Sequence, residues 1–366
     1  MSIRGLALAA LLASACASTP TVANAPSPSA SASAAASPSA SPTTANPCPP
    51  PSNRCLALVT LRGSSSYVVR DLTDISHSKT VSNLGAIPGA EFVSGTELSY
   101  ANSSGMYRVP LAGSPKTLVT SEPSSGTWNA DGSAVIYTTS VDPSTVKVHQ
   151  LIGGHDQVLG SLPGGGGGGC ETLASCQIPN FLDFRLLYSP DGTKISLVTT
   201  GFTGSSFRIW SSDGSVLKSS DAQGPTMSAW SGNGLYFRDA TGVEVWRDGI
   251  VSSFLPGVRW NKPRGSSASG QIVYAVPDSS GWNHVYVIDT TTKKVRELKK
   301  GRVEPVFLTS RFVWYQGERA CVASDLCGLH PPFHPLSGKT YIYDLQTGTE
   351  SESIITSVVD VWPHPA

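Results

Sequence analysis

The sequence is poor in charge. Of its 366 residues, 26 are lysine or arginine and 26 are aspartate or glutamate, so charged residues make up 14% and the net charge is zero. A nucleic-acid-binding protein needs a basic field to engage phosphates, and we therefore expect no nucleic-acid partner. Convincing amphipathic helical stretches are also lacking, and 36 glycines and 27 prolines argue against coiled coils and long surface helices.

Long hydrophobic runs are lacking as well. After Arg4 comes a short apolar run at 5–13, far below the roughly 20 residues that span a bilayer. A charged start, a short apolar run and small residues at 14–15 are typical of an export signal. We therefore interpret residues 1–15 as a signal peptide that is removed on export.

The segment Leu12-Ala-Ser-Ala-Cys16 resembles the lipobox of bacterial lipoproteins, although Ala13 stands where that family usually has leucine. The resemblance implies cleavage before Cys16, acylation of its thiol and anchoring on the outside of a bacterial membrane, in the cell envelope or periplasm. Stable anchoring needs more than one acyl chain, which fits the multiple acylation of that class. An ordinary secreted protein is the alternative.

The next segment has almost no large side chains. Residues 17 to about 47 are nearly all Ala, Ser, Pro and Thr and carry no charge. Such a chain cannot bury enough apolar surface to offset its ordering entropy. We expect residues 16–47 to form a disordered, lipid-anchored linker, and residues 48–366 to form one folded domain.

Cysteines are few, and six of the seven fall into local pairs. The predicted disulfides are Cys48–Cys55, Cys170–Cys176 and Cys321–Cys327. Structural zinc sites usually place two to four residues between cysteine ligands, and these gaps of five and six favour disulfides. An exported chain permits them, and we expect no metal and no cofactor.

From Cys55 onward, short alternating apolar and polar runs are broken by Gly, Asp, Ser and Asn, as in β-strands. A large aromatic residue precedes a polar turn seven times along the chain. Two of the repeats are long and contain the cysteine pairs at 170–176 and 321–327, which we interpret as loop insertions; without them the period lies near forty residues, which is typical of four-stranded propeller blades. The copies begin at Phe92, Trp128, Tyr188, Trp230, Trp260, Phe307 and Trp362. The sequence predicts an all-β propeller of seven blades, with six or eight left open.

The order of the repeats predicts how the ring closes. Strand-like segments at 56–61, 67–72 and 79–84 precede the first aromatic turn, and the last aromatic, Trp362, has no blade after it. We expect the C-terminal strand around 357–362 to form the innermost strand of the blade whose other three strands are N-terminal. Such closure leaves no unmatched edge.

The turn Ser189-Pro-Asp-Gly-Thr-Lys194 resembles that of TolB-type, WD-repeat-like propellers, and 129–133 is a near copy. The resemblance implies a propeller from Cys55 to the end, with partner binding at its mouth. TolB-type proteins also carry an α/β domain. This sequence has no counterpart of it, and the linker takes its place.

Catalytic motifs are missing. There is no Gly-x-Ser-x-Gly elbow, no His-Glu-x-x-His helix and no acidic calcium loop. His330, His334 and His364 lie in proline-rich surroundings, and we expect them to be exposed loop residues. Aromatics that repeat with the blades are expected to pack between sheets.

We expect the innermost strand of each blade to run just before its repeated aromatic residue. The remaining candidates are charged residues on these expected inner strands, beside the central channel. They could bind a polar ligand or a partner's charged loop, or pair with one another around water. We name them channel-mouth candidates: Glu91, Asp183, Arg185, Arg259, Glu304 and Asp360.

The functional hypothesis is a monomeric, membrane-tethered module outside the cytoplasm that binds a protein or a cell-envelope component. The alternatives are a propeller-type enzyme (a hydrolase, lyase or lactonase) and a binder of glycans or small molecules that uses the channel. No residue is assigned a catalytic role.

Overall fold

The structure is a computed structural model. It describes Cys48 and residues 54–85, 89–122, 124, 126–142, 145–163, 181–201, 204–220, 226–266, 269–320 and 336–364. Within these residues 28 strands form seven antiparallel sheets of four, which confirms the seven-bladed propeller. The predicted signal, linker and acylated Cys16 lie outside the described residues.

Blade by blade, the strands are as follows. Blade 1 holds β1 (Leu56–Leu61), β2 (Tyr67–Asp71), β3 (Lys79–Gly85) and the C-terminal β28 (Ile355–Trp362); blade 2 holds β4 (Glu91–Ser94), β5 (Glu97–Asn102), β6 (Gly105–Pro110) and β7 (Thr117–Thr120); blade 3 holds β8 (Gly126–Trp128), β9 (Ala134–Asp142), β10 (Thr145–Ile152) and β11 (His155–Pro163); blade 4 holds β12 (Phe181–Tyr188), β13 (Lys194–Gly201), β14 (Gly204–Ser211) and β15 (Val216–Ser220); blade 5 holds β16 (Thr226–Ser231), β17 (Gly234–Arg238), β18 (Gly242–Arg247) and β19 (Ile250–Pro256); blade 6 holds β20 (Asn261–Ser266), β21 (Gln271–Pro277), β22 (Asn283–Asp289) and β23 (Val295–Lys300); blade 7 holds β24 (Arg302–Phe307), β25 (Phe312–Arg319), β26 (Leu336–Asp344) and β27 (Glu350–Glu352).

The ring closes through blade 1, as the repeat order predicts. Strand β28 pairs antiparallel with β1, so the two ends of the folded chain share one sheet. The Thr60 hydroxyl lies 2.8 Å from that of Thr356 and 2.7 Å from that of Ser357. The blade is thereby held by backbone and side-chain hydrogen bonds between segments almost three hundred residues apart.

The turns that follow the repeated aromatics have the backbone conformation and hydrogen bonds that their Asp and Gly residues favour. Tight turns after Trp128 and Tyr188 place Gly132 at φ 71° and Gly192 at φ 68°, a region that favours glycine. In each turn the preceding aspartate accepts a backbone N–H two residues on: Asp131 from Ser133 at 2.9 Å and Asp191 from Thr193 at 3.1 Å.

The repeated aromatics pack between blades. Trp128 and Trp230 are buried, and each donates its indole N–H to a serine on the second strand of the preceding blade, Ser99 at 2.7 Å and Ser196 at 2.8 Å. Trp260 is also buried, but it precedes the inner strand β20, whereas Trp230 lies near the end of β16. The prediction that an inner strand runs just before each aromatic is therefore wrong at Trp260.

Cys48 and Cys55 form a disulfide bond. Both residues are buried in a core cluster that also contains side chains of blades 1 and 7, among them Ala57, Val361 and Trp314. The other four cysteines of the predicted pairs, His330 and His334 lie outside the described residues. Across the described parts of the chain, no helix is long and apolar enough to cross a membrane.

Candidate functional site: the central channel

The innermost strand of each blade lines the central channel. These strands are β28, β4, β8, β12, β16, β20 and β24. Neighbouring members of this set contact one another around much of the ring. Six of the seven pair irregularly with the next strand of their blade, at a β-bulge or similar irregularity. Bulges re-aim side chains and are common beside functional sites.

Where blades 1 and 2 meet, Glu91, Asp360 and His364 come together; we call them the seam cluster. Asp360 on β28 accepts the backbone N–H of Phe92 on β4 at 2.6 Å. His364, which follows β28, lies 2.9 Å from the Phe92 carbonyl through Nε2 and 3.5 Å from Asp360 through Nδ1. His364 is therefore a partly buried residue of the seam, which corrects the expectation of an exposed loop histidine.

The seam cluster shifts the protonation of two of its members. Burial, with the negative charge of Asp360 beside it, raises the pKa of Glu91 to about 8, and His364 offsets this only in part. Burial by itself lowers the pKa of His364, but Asp360, Glu91 and the Phe92 carbonyl outweigh burial and raise that pKa. A carboxyl that holds its proton near neutral pH is thus built into the inner strand of blade 2.

Blades 5, 6 and 7 share a strained bulge at one position of their inner strands. We call its left-handed residues the bulge arc: Met227, Lys262 and Glu304. Their φ angles are 51°, 49° and 54°, in the left-handed region that favours glycine. In each strand the left-handed residue and its successor together face one aromatic residue of the second strand, in order Phe237, Tyr274 and Tyr315.

The bulge arc carries an ion pair between blades. Lys262 Nζ lies 3.3 Å from Glu304 Oε1, and both side chains remain well exposed. Strain repeated at one position of three neighbouring inner strands motivates a hypothesis of function. The arc is therefore the second part of the candidate site.

Arg185 makes hydrogen bonds to the backbone of two other blades. It is buried on β12, and its Nη1 donates to the carbonyls of Ser228 at 3.3 Å and Pro263 at 3.0 Å. These carbonyls belong to the second bulge residues of blades 5 and 6. Arg185 thus supports the bulge arc from blade 4.

The other channel-mouth candidates lie in different places in the structure. Glu91 and Asp360 are brought together in the seam cluster, and Glu304 lies in the bulge arc. Arg259 is exposed and precedes β20 rather than lying on it. Asp183 lies on β12, and its side chain falls outside the described part of the structure.

Sequence reasoning missed Lys262 and Met227 and misjudged His364. Two of the bulges carry a readable signal, because Pro263 and Pro305 interrupt strand-like segments and proline cannot donate to a sheet. Met227-Ser228 carries no such signal. Among the described residues no group of three His, Cys, Asp or Glu side chains has the arrangement of a metal site.

The fold and channel define the chain as a seven-bladed β-propeller. No family model and no curated protein matches its sequence. Among solved structures, a prolyl endopeptidase aligns at 10% identity over 81% of this chain and 49% of its own, with a TM-score of 0.54. Oligogalacturonate lyase from Vibrio parahaemolyticus aligns at 10% identity over 81% and 84%, with a TM-score of 0.50.

TolB from Acinetobacter baumannii, whose family the repeat turns resemble, is also among the matches. It aligns at 14% identity over 84% of this chain and 65% of its own, with a TM-score of 0.46. The chain thus spans about half of the endopeptidase and just under two thirds of TolB. At these identities the likenesses to the endopeptidase and the lyase show the propeller fold alone.

Proposed function

We propose that the chain is a membrane-tethered binding module outside the cytoplasm, and that its protein or cell-envelope partner docks in the channel. The bulge arc is the observation that carries this proposal. A non-glycine residue in the left-handed region costs about 1–2 kcal/mol, and three blades keep one at the same place. Such strain is expected where side chains must be aimed at a ligand.

The proposed location outside the cytoplasm rests on the N-terminal segment. The lipobox-like segment ending at Cys16 and the uncharged linker after it support an anchored, exported chain. The disulfide between Cys48 and Cys55 is suited to an oxidising compartment. A linker of this composition gives the propeller reach, at up to about 3.1 Å per residue if extended.

The test compares capture of envelope components by the full-length chain and by variants. Glu304→Lys places a second positive charge beside Lys262, so we expect it to lose the partner. The exchange variant K262E/E304K restores an ion pair with reversed polarity. Glu122→Lys, an exposed change just after the outer strand β7, is the matched control and should keep the partner.

A partner that wild type and the Glu122→Lys control retain, and that Glu304→Lys loses at least tenfold, supports the proposal. Equal retention by Glu304→Lys contradicts docking at the channel. Recovery of a metal ion or a free glycan, with no envelope partner, would favour the enzyme or ligand-binding alternative instead.

A further inference from the structure

Blade 3 joins a hydroxyl, an imidazole and a carboxylate outside the channel; we call Thr139, His149 and Asp156 the blade 3 triad. The Thr139 hydroxyl on β9 lies 2.9 Å from Nε2 of His149 on β10. Nδ1 of the same ring lies 3.0 Å from Oδ2 of Asp156 on β11. The three groups therefore form one chain of hydrogen bonds through the two nitrogens of a single ring.

The pairing of the strands explains why these side chains meet. Thr139 lies opposite Lys147, two residues before His149 on β10, and Asp156 lies opposite Leu151, two residues after it. Alternate residues of a strand point to the same face, so the triad shares one face of the sheet. Diagonal neighbours on such a face are within reach of long side chains.

Asp156 determines which nitrogen of the ring carries the proton. An ionised carboxylate only accepts hydrogen bonds, so Nδ1 donates to it and Nε2 remains the acceptor for the Thr139 hydroxyl. Tyr137 stacks on the imidazole, with ring centroids 5.0 Å apart. The ring is thus held with its basic nitrogen toward the hydroxyl, as a general base beside a nucleophile requires.

A substrate can reach the hydroxyl from solvent. Thr139 is partly exposed, whereas the His149 side chain is only 12% exposed. Lys147 is also partly exposed on the same face, and no carboxylate of the described residues pairs with its ammonium group. A positive charge beside a nucleophile can stabilise the oxyanion that forms during acyl transfer.

We propose that the blade 3 triad is a nucleophilic site for carboxylic esters, in which Thr139 attacks, His149 is the base and Asp156 positions the ring. This activity goes beyond the proposed function and does not depend on it. The triad lies on the outer three strands of blade 3, whereas the channel is lined by β8.

The reaction is ester hydrolysis in two steps. Thr139 Oγ bonds to the carbonyl carbon as its proton passes to His149 Nε2 and the carbonyl electron pair moves to oxygen. The ester C–O bond then breaks, the proton leaves with the alcohol, and the acyl group stays on Thr139. Water next gives a proton to His149 and attacks the acyl carbon; the acid departs, and the proton returns to Thr139.

The first experiment measures hydrolysis of p-nitrophenyl acetate by the full-length chain. Thr139→Val keeps the shape of the side chain but removes the hydroxyl, and it should slow hydrolysis about tenfold or more. Thr139→Ser keeps a hydroxyl and should remain active. The matched control is Thr138→Val, which makes the same change on the opposite face of β9 and should behave as wild type.

A second measurement separates catalysis from a structural role. His149→Gln should also slow hydrolysis about tenfold or more, and the double variant T139V/H149Q should be no slower than either single variant, because the groups act as a unit. A fluorophosphonate probe should form an O–P bond to Thr139 as fluoride leaves. Peptide mass spectrometry should find that label in wild type and not in His149→Gln.

Thermal unfolding shows whether each variant is folded, and labelling of wild type needs no variant at all. Equal rates for wild type and folded Thr139→Val overturn the inference, and so does a wild-type chain that carries no label at Thr139. Capture of an envelope partner tests the proposed function separately, because the ester assay uses no partner.

Discussion

At the scale of single residues, charged side chains of the inner strands that look equivalent in the sequence have different hydrogen-bond partners in the structure. Arg185 is committed to backbone carbonyls of two other blades, and Asp360 is committed to two backbone N–H groups. Among the residues that the structure describes, Glu91 has neither kind of partner. The difference arises because each inner strand has different neighbouring strands. Of these three residues, Glu91 is therefore the one whose ionisation should change the free energy of unfolding.

The free energy of unfolding should therefore fall as the pH rises, because Glu91 ionises. Its folded pKa of about 8 lies above the unfolded value of 4.5, so the folded state keeps a proton that the unfolded state releases. The favourable contribution is complete below about pH 4.5 and is lost as pH approaches and passes 8. His364, whose pKa is also raised, acts in the same direction.

The variant Glu91→Gln isolates this effect. Between pH 5 and pH 9 the unfolding free energy of wild type should drop by about 2–4 kcal/mol more than that of Glu91→Gln. Denaturant unfolding at several pH values measures the difference. Parallel curves for the two proteins would mean that Glu91 ionises normally in the folded state.

At the scale of elements, register shifts occur in inner and outer strand pairs alike, but three inner strands place a left-handed residue at the shift. Strand β10 alternates buried and partly exposed residues along most of its length, and its sequence predicts that directly. By contrast, β16, β20 and β24 each insert an extra residue opposite a single aromatic. The bulge places Lys262 and Glu304 where their side chains can pair across two blades.

The strain at Lys262 predicts an unusual order of substitution effects. Glycine relieves the left-handed backbone, which offsets the loss of the exposed ion pair, so Lys262→Gly should change stability by less than about 1 kcal/mol. Lys262→Val should cost about 1–2 kcal/mol, because a β-branched residue is strained there. Thermal or denaturant unfolding of both variants tests this.

Lys299 on the outer strand β23 is the control, since it is exposed and its φ is not in the left-handed region. There the order should reverse, with Lys299→Val near neutral and Lys299→Gly costing about 0.5–1 kcal/mol. The same order at both positions would show that Lys262 is not strained.

At the scale of the whole molecule, one sheet decides whether the ring is closed. The hydroxyls of Thr60 and Ser357 lie 2.7 Å apart on paired strands, and the two residues are separated by 297 positions in sequence. A covalent link at this place would remove most of the loop-closure entropy of the unfolded chain.

The double variant T60C/S357C should form a disulfide and raise the unfolding free energy by up to about 6 kcal/mol in the chain-entropy model. The melting temperature is compared with and without reductant, and the single variants Thr60→Cys and Ser357→Cys are measured in parallel. Wild type corrects for reduction of the native disulfide. Failure of the two introduced cysteines to join would contradict the observed register of β1 and β28.

The sequence by itself determined the architecture, because the signals that specify it are local. Alternation marks the strands, Asp-Gly turns such as those ending at Gly132 and Gly192 mark the hairpins, and the period near forty residues counts the blades. Even the closure by the C-terminal strand is readable, since a blade that lacks its inner strand at one end needs the surplus strand at the other.

Only the tertiary structure decided which charges form the site. Glu91 and Asp360 lie 269 positions apart, and they meet because ring closure places β28 beside β4. Arg185 and Arg259 look alike in sequence, yet one is buried against carbonyls of two other blades and the other faces solvent. A side chain's partners depend on contacts between blades, and no local pattern records them.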